Sequence, residues 1–101
     1  MAQLTFADRA KGRWIVLEGE LDQSDVLDLK AEFDAAIDGG TGDVVLDLEG
    51  VTFLATLGIG LIVSTQDRLE GEGRTLRLAN VPESIDRTLR TMNMNEMFER
   101  V

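Results

Sequence analysis

Thr56 stands where two periodicities meet. Val44, Val45, Leu46 and Leu48 form an apolar, β-branched run that Val51, Phe53 and Leu54 carry on to Ala55, whereas Leu57, Leu61, Ile62, Thr65 and Leu69 recur at helical spacing. The first pattern suits a strand buried on both faces and the second an amphipathic helix. A threonine at such a junction can cap the first free amides of the helix, and the helix dipole favours negative charge there. A phosphate esterified to its hydroxyl is such a charge.

Other chemistries are poorly served. The chain has no cysteine and no histidine, which removes disulfides, thiolate nucleophiles, the commonest general base and the usual zinc ligands. Asp47 and Glu49 share one strand face, but no third acid converges on them, so they read as solvated structural acids rather than a metal or acid-base pair. Gly58-x-Gly60 is too short for a nucleotide site and lacks a phosphate-loop lysine. A lone Trp14 in a strand reads as core or sheet packing, and Met94 and Met97 with Phe98 as core filling in a terminal half-turn. The expectation is a protein with no catalytic residues, no metal and no cofactor. Ten Lys and Arg against 19 Asp and Glu give a net charge of −9. That balance opposes nucleic acid and anionic lipid, and suits either a basic protein partner or simple solubility.

The elements that must position Thr56 follow in order. Gln3–Asp8 and Arg13–Glu20 alternate apolar and polar residues as a hairpin, with Trp14 and Val16 on one face, Ile15 and Leu17 on the other, and a turn at Ala10, Lys11 and Gly12. Asp22 or Ser24 caps a helix carrying Val26, Leu29, Phe33, Ala36 and Ile37, with Asp25 in its first turn and a left-handed Gly39-Gly40 ending it. The central strand and the Thr56 helix come next. Gly58 and Gly60 each weaken that helix by up to about 1 kcal/mol relative to alanine, so each needs a close neighbour as its reason. Arg74–Asn80 forms a last strand with Leu76, Leu78 and Val81 on one face. Pro82 suits the first turn of a third helix, whose buried stripe is Ile85, Leu89 and Met92 and whose other faces carry Arg87 and Arg90 as a small basic patch. The reading is one α/β domain over 1–101, of order β-β-α-β-α-β-α, with helices on a mixed sheet. No apolar stretch approaches the roughly 20 residues of a membrane span, and a soluble, cytoplasmic protein is expected.

The order of elements, Gly19-Glu20-Leu21-Asp22, and the run D-L-E-G-V-T-F-L-A-T-L-G-I-G-L closely resemble STAS domains, in particular the anti-sigma factor antagonists. There the stretch before the second helix usually reads aspartate, serine or threonine, serine, glycine, and the residue after the aspartate accepts phosphate. The matching residues here are Ala55, Thr56, Leu57 and Gly58. The resemblance implies phosphorylation at Thr56 and a partner-binding face made by Glu20, Leu21, Asp22, Ala55, Leu57, Gly58 and Ile59. It implies as partners an anti-sigma factor that is also a serine/threonine kinase of the GHKL type and a phosphatase, with the chain a monomer or weak homodimer. The departures at Ala55 and Leu57 open a second reading, an STAS adaptor of a signalling complex or an ABC lipid transporter that needs no phosphate cycle.

Overall fold

The computed structural model describes residues 2–9 and 12–101. Its elements run β1 (Ala2–Arg9), β2 (Gly12–Leu21), α1 (Gln23–Asp38), β3 (Val44–Leu54), α2 (Thr56–Gly71), β4 (Leu76–Ala79), α3 (Glu83–Thr91) and β5 (Glu99–Arg100). The strands lie side by side in chain order. β1 pairs antiparallel with β2, and every later pairing is parallel. The expected mixed α/β sheet is therefore present.

Register decides what each face carries. Ile15, Leu46 and Leu78 form one row across β2, β3 and β4, while Trp14, Val45 and Arg77 form the next. Successive residues of a strand point to opposite faces. The first row joins one core with Val26, Leu29, Phe33, Ile59, Ile62, Leu69, Ile85 and Leu89 from the three helices. The second row lies on the opposite face, where Arg9 stacks over the half-buried Trp14 ring at 4.5 Å. Of the two apolar sets in β2, Ile15 and Leu17 are the buried one.

Several local expectations are corrected. The end of the chain makes a turn and then β5, because Phe98 is buried and the Val101 N–H donates to Leu78 C=O. Pro82 is the cap before α3 rather than its first residue. Met92 is 41% exposed, beyond the Ile85–Leu89 stripe. Arg90 pairs with Glu83 and Asp86, and Arg87 approaches Glu83, so the expected basic patch is neutralised. Gly39 has φ −73°, not a left-handed value; a Cβ there would meet the Arg13 guanidinium at 2.5 Å. The turn expected at Ala10 and Lys11 lies outside the described residues.

Arg13 and Arg74 explain how α1 ends. Its last turn has no basic residue, leaving its final carbonyls for donors from elsewhere. Arg13 Nη1 donates to Ala36 C=O at 2.7 Å. Arg74, 8% exposed, donates to Ile37 C=O from both Nη atoms and to Gly42 C=O from Nε at 2.7 Å. Asp8 holds Arg13 and Glu72 holds Arg74. Two distant arginines thus fix the helix to the strand edge opposite Thr56.

Candidate partner-binding site

The two crossover helices start together. The Ala55 N–H donates to Leu21 C=O at 2.9 Å, and Leu21 pairs with Leu54 across β2 and β3. A Cβ on Gly58 would meet Leu54 Cδ1 at 2.7 Å and Leu21 Cβ at 3.5 Å. Gly58 is therefore the close approach that lets α2 settle onto the strand ends. Gly60 has nothing within 4 Å of such a Cβ, so packing does not explain it.

At α1 the first turn is closed. Asp22 Oδ1 accepts from the Ser24 N–H at 3.0 Å, the Ser24 hydroxyl at 2.7 Å and the Asp25 N–H at 3.1 Å. The Ser24 hydroxyl and then the Asp25 N–H hold the Asp22 carboxyl below the usual carboxylate range. The capping expectation for Asp22 is met.

At α2 the first turn is open. The cap position belongs to Ala55, with no side-chain capping bond and no acidic residue in the first turn. Thr56 is the first helical residue instead of the cap, one position later than the reading of a capping hydroxyl requires. The first helical bond runs from the Ile59 N–H to Ala55 C=O at 3.1 Å, so the amides of Thr56, Leu57 and Gly58 precede it. Thr56 is exposed and Leu57 is 52% exposed.

Of the expected site residues, Glu20, Thr56 and Leu57 are exposed, Asp22 and Ala55 half-buried, and Leu21, Gly58 and Ile59 buried. The last three build the floor under the surface. Sequence reading missed Phe53 and Leu27, which are 52% and 76% exposed. Phe53 pairs with Glu20 beside the Thr56 junction. Leu27 shares its side of α1 with Asp34 and Asp38, about two and three turns on, and those two pair with Arg68 of α2. Leu57 lies on the Arg68 side of α2 by the same periodicity. Leu27 and Leu57 are thus exposed apolar residues at the starts of neighbouring helices, facing the seam between them. Their signal in the sequence was an apolar residue off the buried stripe.

Among the described residues no group of three or more Asp or Glu could hold a metal ion. Asp47 accepts from the Glu49 N–H and from Asn80 Nδ2, which is a structural use of that carboxylate. Among the described residues no helix is long and apolar enough to cross a membrane.

A family model described as "Mlab, STAS domain" matches residues 5–99. An anti-sigma F factor antagonist of Lysinibacillus sphaericus is 39% identical over 70 residues, 67% of this chain and 60% of that protein. The chain thus aligns with less than two thirds of that relative's length. The crystal structure of an anti-sigma factor antagonist from Mycobacterium paratuberculosis superposes with TM-score 0.84 at 19% identity, over 99% of this chain and 85% of that one. The Bacillus cell fate determinant SpoIIAA, solved in the phosphorylated form, gives 0.70 at 23% identity over 100% and 91%. At such identities the structures establish the shared fold. The chain belongs to the STAS domain family.

Proposed function

We propose that this chain is an anti-sigma factor antagonist-like regulator that binds a cognate anti-sigma factor and is switched by phosphorylation at Thr56. The observation that carries the reading is the open start of α2, where the exposed Thr56 and Leu57 follow a cap position with no side-chain hydrogen bond, with the exposed Phe53 at the end of the preceding strand and the exposed Leu27 at the start of the neighbouring helix. Exposed apolar side chains in a polar rim are the usual anchors of a protein interface. Around them Glu20, Asp22, Asp25 and Asp28 supply an acidic rim, which suits a partner with basic residues around an apolar contact.

Phosphorylation brings close to two negative charges to this spot. The amides of Thr56, Leu57 and Gly58 and the helix dipole stabilise them. The same charges desolvate poorly against an apolar partner surface, so the complex separates. In this reading the anti-sigma factor is itself a serine/threonine kinase of the GHKL type that supplies ATP and magnesium, and a phosphatase restores the binding form. The chain acts in the cytoplasm as substrate and ligand rather than as enzyme.

The test is the intact mass of the protein from its own host, with Thr56→Ala as control. An added phosphate that vanishes in Thr56→Ala supports the switch, and Thr56→Glu then weakens partner binding at least tenfold. Ala55 favours a second reading, because the residue directly before Thr56 has no carboxylate to orient the hydroxyl. If phosphate stays absent under growth and stress conditions while Thr56→Ala binds normally and Thr56→Glu does not, the surface serves a constitutive adaptor, as in a signalling complex or an ABC lipid transporter.

A further inference from the structure

The two edges of the sheet are guarded differently. β5 is two residues long, Glu99–Arg100, and both are charged. β1 spans Ala2–Arg9 and pairs with β2 without a register shift. Its stretch from Ala2 to Ala7 has no charge, no proline and no bulge. Short strands, charges, prolines and bulges are the devices that keep an edge from pairing, and β1 carries charge only at its end. Asp8, one of those charges, is occupied by Arg13.

β1 also exposes apolar side chains on the helix-covered side. Leu4 and Phe6 lie opposite Leu17 and Ile15, which are core residues. Leu4 packs against the core while Phe6 is 52% exposed, with one ring face under the Arg13 guanidinium at 4.7 Å. A shallow groove of about 410 Å³ lies between this strand and α1, lined by Leu4, Thr5, Phe6, Glu32 and Ala35.

We propose that β1 pairs antiparallel with β1 of a second copy of this chain, extending the sheet across a two-fold axis at Thr5. Self-complementarity identifies the occupant. A continuous sheet requires helix-side residues to face helix-side residues. With Thr5 opposite Thr5, Leu4 of each copy faces Phe6 of the other, Gln3 faces Ala7, and Ala2 faces Asp8. Both apolar residues are used twice, no like charges are opposed, and each Phe6 enters the groove of the other copy. Isologous contacts of this kind close as dimers. The free N–H and C=O groups of the edge are satisfied in the same step. Because each copy carries −9, repulsion opposes the contact and salt strengthens it.

Sedimentation velocity of the full chain over a concentration series tests this. The mass is expected to move from one copy towards two with rising concentration, and at lower concentration when salt is added. Phe6→Lys, at a half-exposed position, weakens association at least tenfold while circular dichroism and melting stay near those of the parent. The alignment has its own test, since the chain has no cysteine. Directly opposed residues of antiparallel strands have Cα atoms about 4.5–5.5 Å apart, within disulfide reach. Thr5→Cys therefore forms an intermolecular disulfide on mild oxidation, whereas Ala7→Cys, facing Gln3, does not. A single-copy mass at every concentration and salt overturns the proposal and leaves the edge to a strand from another protein. A dimer indifferent to Phe6→Lys, or one that Ala7→Cys links faster than Thr5→Cys, overturns it as well.

Discussion

α1 and α2 leave the same edge of the sheet after parallel strands, and the residues before them have nearly the same backbone: φ −86°, ψ 177° at Asp22 and φ −73°, ψ 162° at Ala55. Both backbones suit a capping side chain. Asp22 provides one and Ala55 does not. The acidic first-turn residue Asp25 reinforces the first helix, whereas Leu57 and Gly58 follow Thr56 in the second. A protein selected for stability alone would close both starts, because each closure is worth about 1 kcal/mol. The comparison teaches that the fold closes the start of α1 with its own side chain and leaves the first amides of α2 without one, which is the arrangement the proposed switch at Thr56 needs. At the other end of the molecule Arg13 and Arg74 take up the Ala36 and Ile37 carbonyls with which α1 finishes.

Breaking the closed end has the largest expected effect. Arg74→Met keeps most of the side-chain volume and removes every donor. The Gly42 carbonyl then loses its side-chain donor and the Ile37 carbonyl keeps only the Gly40 N–H, and an acceptor left unsatisfied costs about 1–3 kcal/mol. Urea denaturation is expected to show a loss on the order of 2–4 kcal/mol, a large share of what a domain of this size has to lose. Partner binding by the folded fraction stays unchanged, because the Thr56 face lies at the opposite strand ends. A loss below about 1 kcal/mol would mean that water replaces the guanidinium and that this end is less tightly closed than its geometry suggests.

Ala55→Asp sharpens the comparison by making α2 begin as α1 does. The backbone is already in cap geometry, so the carboxylate can accept from the amides of the first turn without rearrangement. Stability at neutral pH is expected to rise by about 1 kcal/mol. The sign with pH follows from the cap. Amide bonds lower the folded pKa, as they do for Asp22, so the gain is full above the unfolded value of about 3.9 and fades as pH falls through the folded one. Thermal melts of parent and variant, separated at pH 7, should converge in acid. A variant that melts below the parent at pH 7 and rejoins it in acid would show that the carboxylate is repelled by its acidic neighbours and caps nothing.

What the sequence disclosed, and what it withheld, follows the range of the forces involved. The alternation around Ile15 and Leu17, the helical spacing of Val26 to Ile37, and Asp22 before Gln23 are local patterns, and the structure reproduces them. The start of α2 was legible to within one residue. The closing arginines were not, because Arg13 meets a carbonyl 23 residues away and Arg74 one 37 residues away. Arg74 was read as a strand residue for the same reason. Leu27 and Phe53 escaped because an exposed apolar residue is informative only once the uncovered side of its element is known. β5 escaped because a two-residue strand has no periodicity; burial of Phe98 and the Arg77–Glu99 ion pair bring it to β4.

Alanine substitution separates the two glycines of the open start. Alanine is better than glycine in a helix interior by up to about 1 kcal/mol. Gly60→Ala adds a methyl group where nothing lies within 4 Å, and should gain a sizeable part of that difference in a urea midpoint measurement. Gly58→Ala adds the same methyl 2.7 Å from Leu54 Cδ1, inside a buried contact. Leu54 must shift, and overpacking of this kind costs about 1–3 kcal/mol, which exceeds the helical gain. The two variants should therefore move stability in opposite directions. Gly60 lies one turn beyond Leu57 on the exposed surface of α2, so its methyl group meets whatever docks there. A Gly60→Ala protein that is more stable yet binds its partner less well would show that the glycine keeps a surface low rather than a helix loose. Unchanged binding would confine the docking surface to Thr56, Leu57 and the residues before them.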